Sequence, residues 1–332
     1  MDSDESYNNG PDNTTLLDLR PAGKAGDPDG GGWYNDDADG LNEELDDFLS
    51  KVPSTIDGYS LPIPGARIII APKRCLGLQL LGPQQGEAGI YPRAISFSLV
   101  PRLQSDQIPQ MGDPLGDLTV DQDILQRIKQ EGQLHSMKSG ADMNEHSLEL
   151  HAPYIYKRFE QTFGSPDNFP KIAPIIVGSI GRTAQKEFGR LLLPYFKDTE
   201  NAFVISSDFC HWGWYFPYMP YSPDRDIKHL TALTKHSPKP SGAPIHEVIE
   251  AIDKHSMDAV ESGSQDAFVD SIKLTDNTVC GRHPIGIAMA ALELYGEEIN
   301  ESRFKVVKYD RSELVDYPSQ SSVSYVSAYA IL

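Results

Sequence analysis

Three short apolar runs, set between stretches of helical spacing, predict an α/β fold: a three-layer sandwich with a mixed central sheet and helices on both faces. The runs are Arg67-Ile68-Ile69-Ile70-Ala71, Ile172 to Gly178, and Ala202-Phe203-Val204-Ile205. Each lacks the alternation of a half-solvated strand, which suits strands covered on both faces. Late strands are expected at Phe304 to Tyr309 and Ser322 to Ile331. The length of 332 residues, 39% of them hydrophobic, supports a substantial core in one large domain.

Residues 1–31 are rich in Asp, Asn, Gly and Pro, with only Leu16-Leu17-Asp18-Leu19 to bury. They are expected to be a disordered acidic tail, because so little apolar surface cannot offset the entropy of ordering. The domain is then expected over 32–332, starting near Trp33-Tyr34. Leu41, Leu45, Phe48 and Leu49 recur at helical spacing, with Glu43, Glu44, Asp46 and Asp47 as solvated charge on the other face. Pro53 to Pro64 is a turn-rich linker. The strand after it ends at Pro72, and a second apolar run, Leu76 to Leu81, follows too soon for a crossover between parallel strands. The two are antiparallel, or a helical segment near 73–79 is missing.

Gly86 to Pro114 is expected to be loop with one strand near Ile95 to Leu99. Asp121 to Glu131 is expected to be a helix with Ile124, Leu125 and Ile128 on one face and Thr119 as its cap. A helix from Glu145 to about Phe163 places His146 and Glu149 on a shared face, and Glu145 and Glu149 likewise. Thr183 to Phe196 forms a helix with Phe188, Leu191 and Leu192 inward. Trp214 to Pro240 is a long aromatic and proline-rich excursion, a lid or an interaction loop. Ile245 to Glu261 and Asp266 to Lys273 read as helices, and Ile287 to Tyr295 as an apolar helix after a turn at Asn277 to Gly286.

The formal net charge of −19 argues against a nucleic-acid surface, since phosphate binding needs Lys and Arg. Residues 1–50 hold fourteen acidic residues against Arg20 and Lys24, so −12 of that charge belongs to the tail region. No apolar run is long enough for a membrane span, and the first residues lack a basic-then-apolar signal pattern. Three cysteines, Cys75, Cys210 and Cys280, make no disulfide framework, so a reducing cytoplasmic or nuclear setting is expected.

The stretch Ser206-Ser207-Asp208-Phe209-Cys210-His211-Trp212-Gly213 places a carboxylate, a thiol and an imidazole at the end of a buried strand, where open α/β sheets gather ligands. It reads equally as a capped strand-to-helix turn. Two further clusters could converge on it: Glu145-His146 with Glu149 and His151, and Cys280 with His283. Imidazole, carboxylate and thiolate suit a transition metal, although no local zinc-type spacing is present. A nucleophilic Cys280, with His283 or His211 as base, is a second reading, and a buried, inert Cys280 is a third. Cys210 is assigned to core packing. His229, His236, His246 and His255 are expected at the surface. Trp212, Trp214, Tyr215, Phe216, Tyr218 and Tyr221 line a pocket, grip a peptide, or plug a core under the long loop.

The octapeptide above, Glu145-His146-Ser147 through His151-Ala152-Pro153-Tyr154, and Cys280-Gly281-Arg282-His283-Pro284-Ile285-Gly286 together resemble the Memo family. Ile70-Ala71-Pro72, Leu81-Gly82-Pro83, Asp117 to Asp121 and Ser321 to Tyr325 extend the resemblance from about residue 33 to the C-terminus. It implies a fold similar to class III extradiol ring-cleaving dioxygenases, and a cleft that can hold iron or copper. It also implies a regulatory or binding protein linked to cell motility, growth signalling or redox and metal homeostasis, with protein or peptide partners and no assigned catalysis. The alternative it leaves is an iron- or copper-binding oxidoreductase.

By this resemblance His211 and Cys280 are candidate metal ligands, and Asp208, Glu145, His146, His151, His283, Trp33 and Trp212 are candidate pocket residues. Two positions depart from the family pattern: Lys73 follows Ala71-Pro72, and Gln84-Gln85 follow Gly82-Pro83, where the family has ligand histidines. The family also places a helix between those motifs. Either this is a divergent, metal-free member, or the sequence near Lys73 to Leu78 carries a misjoined splice junction.

Overall fold

The computed structural model describes residues 34–35, 37–56, 59–72, 93–98, 110–132, 147–148, 150–299 and 303–332. In chain order the elements are α1 (Ala38–Ser50), β1 (Thr55–Ile56), β2 (Tyr59–Ser60), β3 (Ala66–Ala71), β4 (Arg93–Ser98), β5 (Gln110–Asp113) and β6 (Gly116–Thr119). Then come α2 (Gln122–Gly132), α3 (Ala152–Phe163), β7 (Lys171–Ile176), α4 (Arg182–Lys197), β8 (Asn201–Ser206) and β9 (Asp208–Gly213). The chain closes with β10 (Pro220–Tyr221), β11 (Thr231–Ala232), α5 (Ile245–Glu261), α6 (Gln265–Thr275), α7 (Arg282–Ile299), β12 (Phe304–Arg311) and β13 (Ser321–Ile331). The result is the expected three-layer α/β sandwich around a mixed seven-stranded sheet.

That sheet runs β12-β13-β3-β8-β4-β7, with β9 also paired to β13. The strands β3, β8, β4 and β7 are mutually parallel, and β13 is antiparallel to β3, β9 and β12. All six residues of β3 and of β8 are buried, as their uninterrupted apolar runs require. The one strand expected in the weakly patterned region is β4, and it takes an interior position between β8 and β7. The region around Lys73, including the run from Leu76 to Leu81 and the question of a missing helix, lies outside the described residues.

The largest difference from expectation concerns Ser206 to Gly213. These residues form no strand-to-helix turn; after a single step at Ser207 they continue as β9. The cause is a mismatch of strand lengths. β3 stops at Ala71 because Pro72 has no N–H to donate, whereas β13 runs on for eleven residues. The first half of β13 therefore needs another partner for its ladder groups. Ser207 N donates to Ala71 O at 2.9 Å, and β9 then pairs with β13 from Tyr325↔Asp208 to Ser321↔Gly213, with a bulge between Val323 and Tyr325.

Smaller corrections have equally local causes. α2 is capped by Asp121, whose Oδ1 accepts from Ile124 N at 3.1 Å, and not by Thr119, which ends β6. α3 begins at Ala152, with proline in its first turn, and the expected start at Glu145 lies outside the described residues. The buried face of α4 is Gln185, Gly189, Leu192 and Phe196, while Phe188 and Leu191 are only partly buried. A Cβ on Gly189 would lie 2.8 Å from Ala290 Cβ and 2.9 Å from Ala291 N, so glycine is what lets α4 lie against α7. Of the four histidines expected at the surface, His246 and His255 are half-buried.

A second, smaller core lies behind β9, where Cys210, Trp212, Met219 and Tyr221 meet Ile245, Val248, Ile249 and Ile252 of α5 and Val315. Cys210 is fully buried there, as expected of core packing. The aromatic stretch divides: Trp212 and Tyr221 belong to this core, while Trp214 and Tyr215 are exposed. Among the described residues no helix is long and apolar enough to cross a membrane.

Candidate metal centre

Strand alternation sends Cys210 and Trp212 into the second core and turns His211 the other way. Beside it, the segment between α6 and α7 brings in Cys280. Asp208, His211 and Cys280 together form a group that could hold a metal ion, their ligand atoms all within 4.8 Å of one another. Asp208 is buried, and His211 and Cys280 are half-buried. His211 Nε2 lies 4.0 Å from Asp208 Oδ2. The backbone N–H of Asp208 donates to Cys280 Sγ at 3.1 Å, and Cys280 N donates back to Asp208 O at 3.1 Å.

The orientation of His211 is set by groups that can only accept. Its Nδ1 lies 2.9 Å from Phe209 O and 3.2 Å from Thr278 O, so Nδ1 carries the proton in the neutral ring. Nε2 is then the lone-pair nitrogen, and it faces Asp208 and Cys280. A backbone carbonyl holding the second ring nitrogen is the usual arrangement for a metal-ligating imidazole. Thr278 secures the contact further, with Oγ1 accepting from His211 N at 2.7 Å and donating to His211 O at 3.3 Å. Phe216 meets the imidazole edge-on, at 5.3 Å between centroids.

Cys280 Sγ accepts the Asp208 N–H and sits just ahead of α7, an eighteen-residue helix whose N-terminal N–H groups favour negative charge. Its position depends on Gly281. A Cβ there would sit 2.4 Å from Ser207 Cβ and 2.8 Å from Ser206 O. With hydrogen in its place, Gly281 N donates to Ser207 Oγ at 3.0 Å. Carboxylate oxygen, imidazole nitrogen and thiolate sulfur make a borderline-soft donor set that fits a transition metal better than calcium or magnesium.

The other sequence candidates are placed as follows. His283 is buried in the first turn of α7, with its Nδ1 3.2 Å from Gln185 Nε2. Gln185 itself is oriented by donating to Ile180 O and accepting from Gln265 Nε2 at 2.7 Å. Burial, followed by the neighbouring Arg282 charge, lowers the His283 pKa to about 4, so this ring is neutral near pH 7. His151 is fully buried at the start of α3. Trp212 is fully buried, its Nε1 donating to Pro220 O at 3.0 Å. Trp33, Glu145, His146, Lys73, Gln84 and Gln85 lie outside the described residues.

Sequence reading missed Thr278 and Ser207, which hydrogen-bond the His211 and Gly281 backbone, and Asp253, whose Oδ1 accepts from Cys210 N. For Thr278 and Ser207 no signal short of the fold exists, since each acts across more than sixty positions. Asp253 did leave one. It is a charged residue on the buried stripe of α5, between Ile252 and Ser256.

Comparison with known proteins agrees with the resemblance. A family model described as Memo-like protein matches residues 107–329. A MEMO1 family protein of Schizosaccharomyces pombe is 32% identical over 313 residues, covering 90% of this chain and 96% of that protein. Protein MEMO1 of Homo sapiens is 33% identical over 309 residues, covering 90% and 94%. Protein MEMO1 of Danio rerio is 32% identical over 317 residues, covering 91% and 95%.

Proposed function

The chain belongs to the Memo family, and from that premise we propose that it is a regulatory protein whose cleft takes a transition metal, iron or copper, at Asp208, His211 and Cys280. The observation that carries this reading is the convergence of the three donors, together with the carbonyl anchors that leave His211 Nε2 as the ring's ligand atom. When bound, such an ion would supply Lewis acidity and one-electron redox exchange. The chain's own contribution is to hold the imidazole in one tautomer, keep the Cys280 sulfur beside an N–H donor, and half-bury the group away from competing water.

Ring cleavage is not part of the proposal. The roles in motility, growth signalling and redox or metal balance rest on family membership, and so does a cytoplasmic or nuclear location. A partner-binding role finds support in Trp214 and Tyr215. Both are exposed, on the loop directly after β9, and Lys235 Nζ lies 3.6 Å from the Trp214 ring centroid. Exposed aromatics beside the donor group suit a peptide or protein partner.

The test is metal content. Purified chain is loaded with Fe2+ or Cu+ under reducing conditions, passed through a desalting column, and analysed by elemental emission. Near-stoichiometric metal is expected in the unmodified chain, with loss in His211→Ala and in Cys280→Ser. Retention of metal by both variants, or none in the unmodified chain, refutes the metal reading and leaves partner binding as the function to pursue.

A further inference from the structure

Behind β9, on the face opposite the His211 imidazole, the carboxylate of Asp253 is completely buried. Its Oδ1 accepts from Cys210 N at 3.1 Å and from Asn277 Nδ2 at 3.1 Å, and its Oδ2 accepts from Tyr309 Oη at 2.9 Å. Ser324 Oγ lies 3.4 Å from the same Tyr309 hydroxyl. The first bond grips the β9 backbone one residue before His211. The second grips the residue before Thr278, in the segment that carries Cys280. Asn277 Nδ2 also donates to Ser256 Oγ at 3.2 Å, which ties that segment to α5 a second time.

We propose that Asp253 is a positioning residue for the donor group: one carboxylate that fixes the His211 strand and the Cys280 segment relative to each other. It does so with an acceptor-only side chain facing three converging donors, a task no neutral side chain of the same shape can perform. An ionised carboxylate away from water is costly unless so bonded, and here burial raises its pKa while Ser324, Asn277, Tyr309 and Cys210 N oppose that rise. The inference rests on the metal reading for one of its two readouts only.

The variant is Asp253→Asn, which replaces one acceptor oxygen with an NH2 that must face a donor. The first readout is titration with Co2+, whose thiolate charge-transfer absorption reports Cys280 ligation. The second is the His211 tautomer in the metal-free chain, from ring nitrogen–proton correlations by NMR. Asp253→Asn is expected to weaken Co2+ binding on the order of tenfold, the scale of losses at outer-shell partners. It is also expected to convert the single Nδ1–H tautomer to a mixture, as Thr278 O moves off the ring. Lys157→Met is the control, because it loosens the distant contact between α1 and α3, where Lys157 Nζ meets Asn42 and Asp46; both readouts should stay unchanged in it. If Asp253→Asn does not fold, Asn277→Ala cuts the same bridge and carries the same expectations.

Co2+ affinity within about twofold of the unmodified chain, together with an unaltered tautomer, overturns the proposal. So does an equal response in Lys157→Met. If the unmodified chain takes no Co2+ at all, the metal reading fails, and the tautomer alone decides the role of Asp253.

Discussion

Substituting Gly281 by alanine puts a methyl group where the structure has no room for one. The added Cβ would lie 2.4 Å from Ser207 Cβ, 2.5 Å from Ser207 Oγ and 2.8 Å from Ser206 O. Carbon–carbon contacts are optimal at about 3.5–4.0 Å, so Ser207 and Gly281 must separate by roughly an ångström. Two of the three clashing atoms belong to the Ser207 side chain, but Ser206 O is backbone at the end of β8, where Ser206 is paired with Ala71 of β3. Overpacking of this kind costs about 1–3 kcal/mol. The hydrogen bond from Gly281 N to Ser207 Oγ adds about 1 kcal/mol when broken. The expected loss is therefore about 2–4 kcal/mol of unfolding free energy. The separation also draws Cys280 Sγ away from Asp208 N, so bound metal should fall with it. Urea unfolding followed by circular dichroism, alongside metal analysis of the folded variant, measures both. A loss below about 1 kcal/mol with unchanged metal content would refute the reasoning, for it would mean that the Cys280 segment can shift without consequence.

Two further outcomes follow from buried groups. Arg67 is almost fully buried and donates to Phe196 O at 2.9 Å, Asp198 O at 2.8 Å and Asn201 O at 3.1 Å, so it satisfies carbonyls at and just beyond the end of α4. Arg67→Met strands those acceptors and should lower stability by on the order of 3 kcal/mol, read as a drop in the urea midpoint; a drop worth less than about 1 kcal/mol would speak against it. His283 makes stability depend on pH in a defined direction. Its folded pKa of about 4 lies below the ordinary 6.5, so between those values the unfolded chain binds the extra proton. The stabilisation is full above pH 6.5 and is lost as pH falls towards 4, by about 3 kcal/mol across the window. His283→Gln should flatten the stability profile between pH 6.5 and 5, and an unchanged slope there would show that the ring does not titrate on unfolding.

Much of the framework is legible in the chain because it depends on near neighbours. The uninterrupted runs at Ile68 to Ile70 and Phe203 to Ile205 can only be satisfied by covered strands, and the spacing of Leu41 and Leu45, or of Ile124 and Ile128, can only be satisfied by helices against a core. The motifs carrying Asp208, His211 and Cys280 stand out because such residue types are unusual beside buried strands. What local pattern could not reveal is every contact that closes over a long loop. That Asp208 to Gly213 forms a strand depends on β13, more than a hundred residues later, having unpaired ladder groups where Pro72 ends β3. Which nitrogen of His211 is available depends on a carbonyl at position 278, and the register between the two donor segments depends on Asp253. Local residue choice therefore determines which elements form and which side chains are able to bind. Long-range hydrogen bonding, driven by the cost of leaving buried polar groups unpaired, decides that three of those side chains meet.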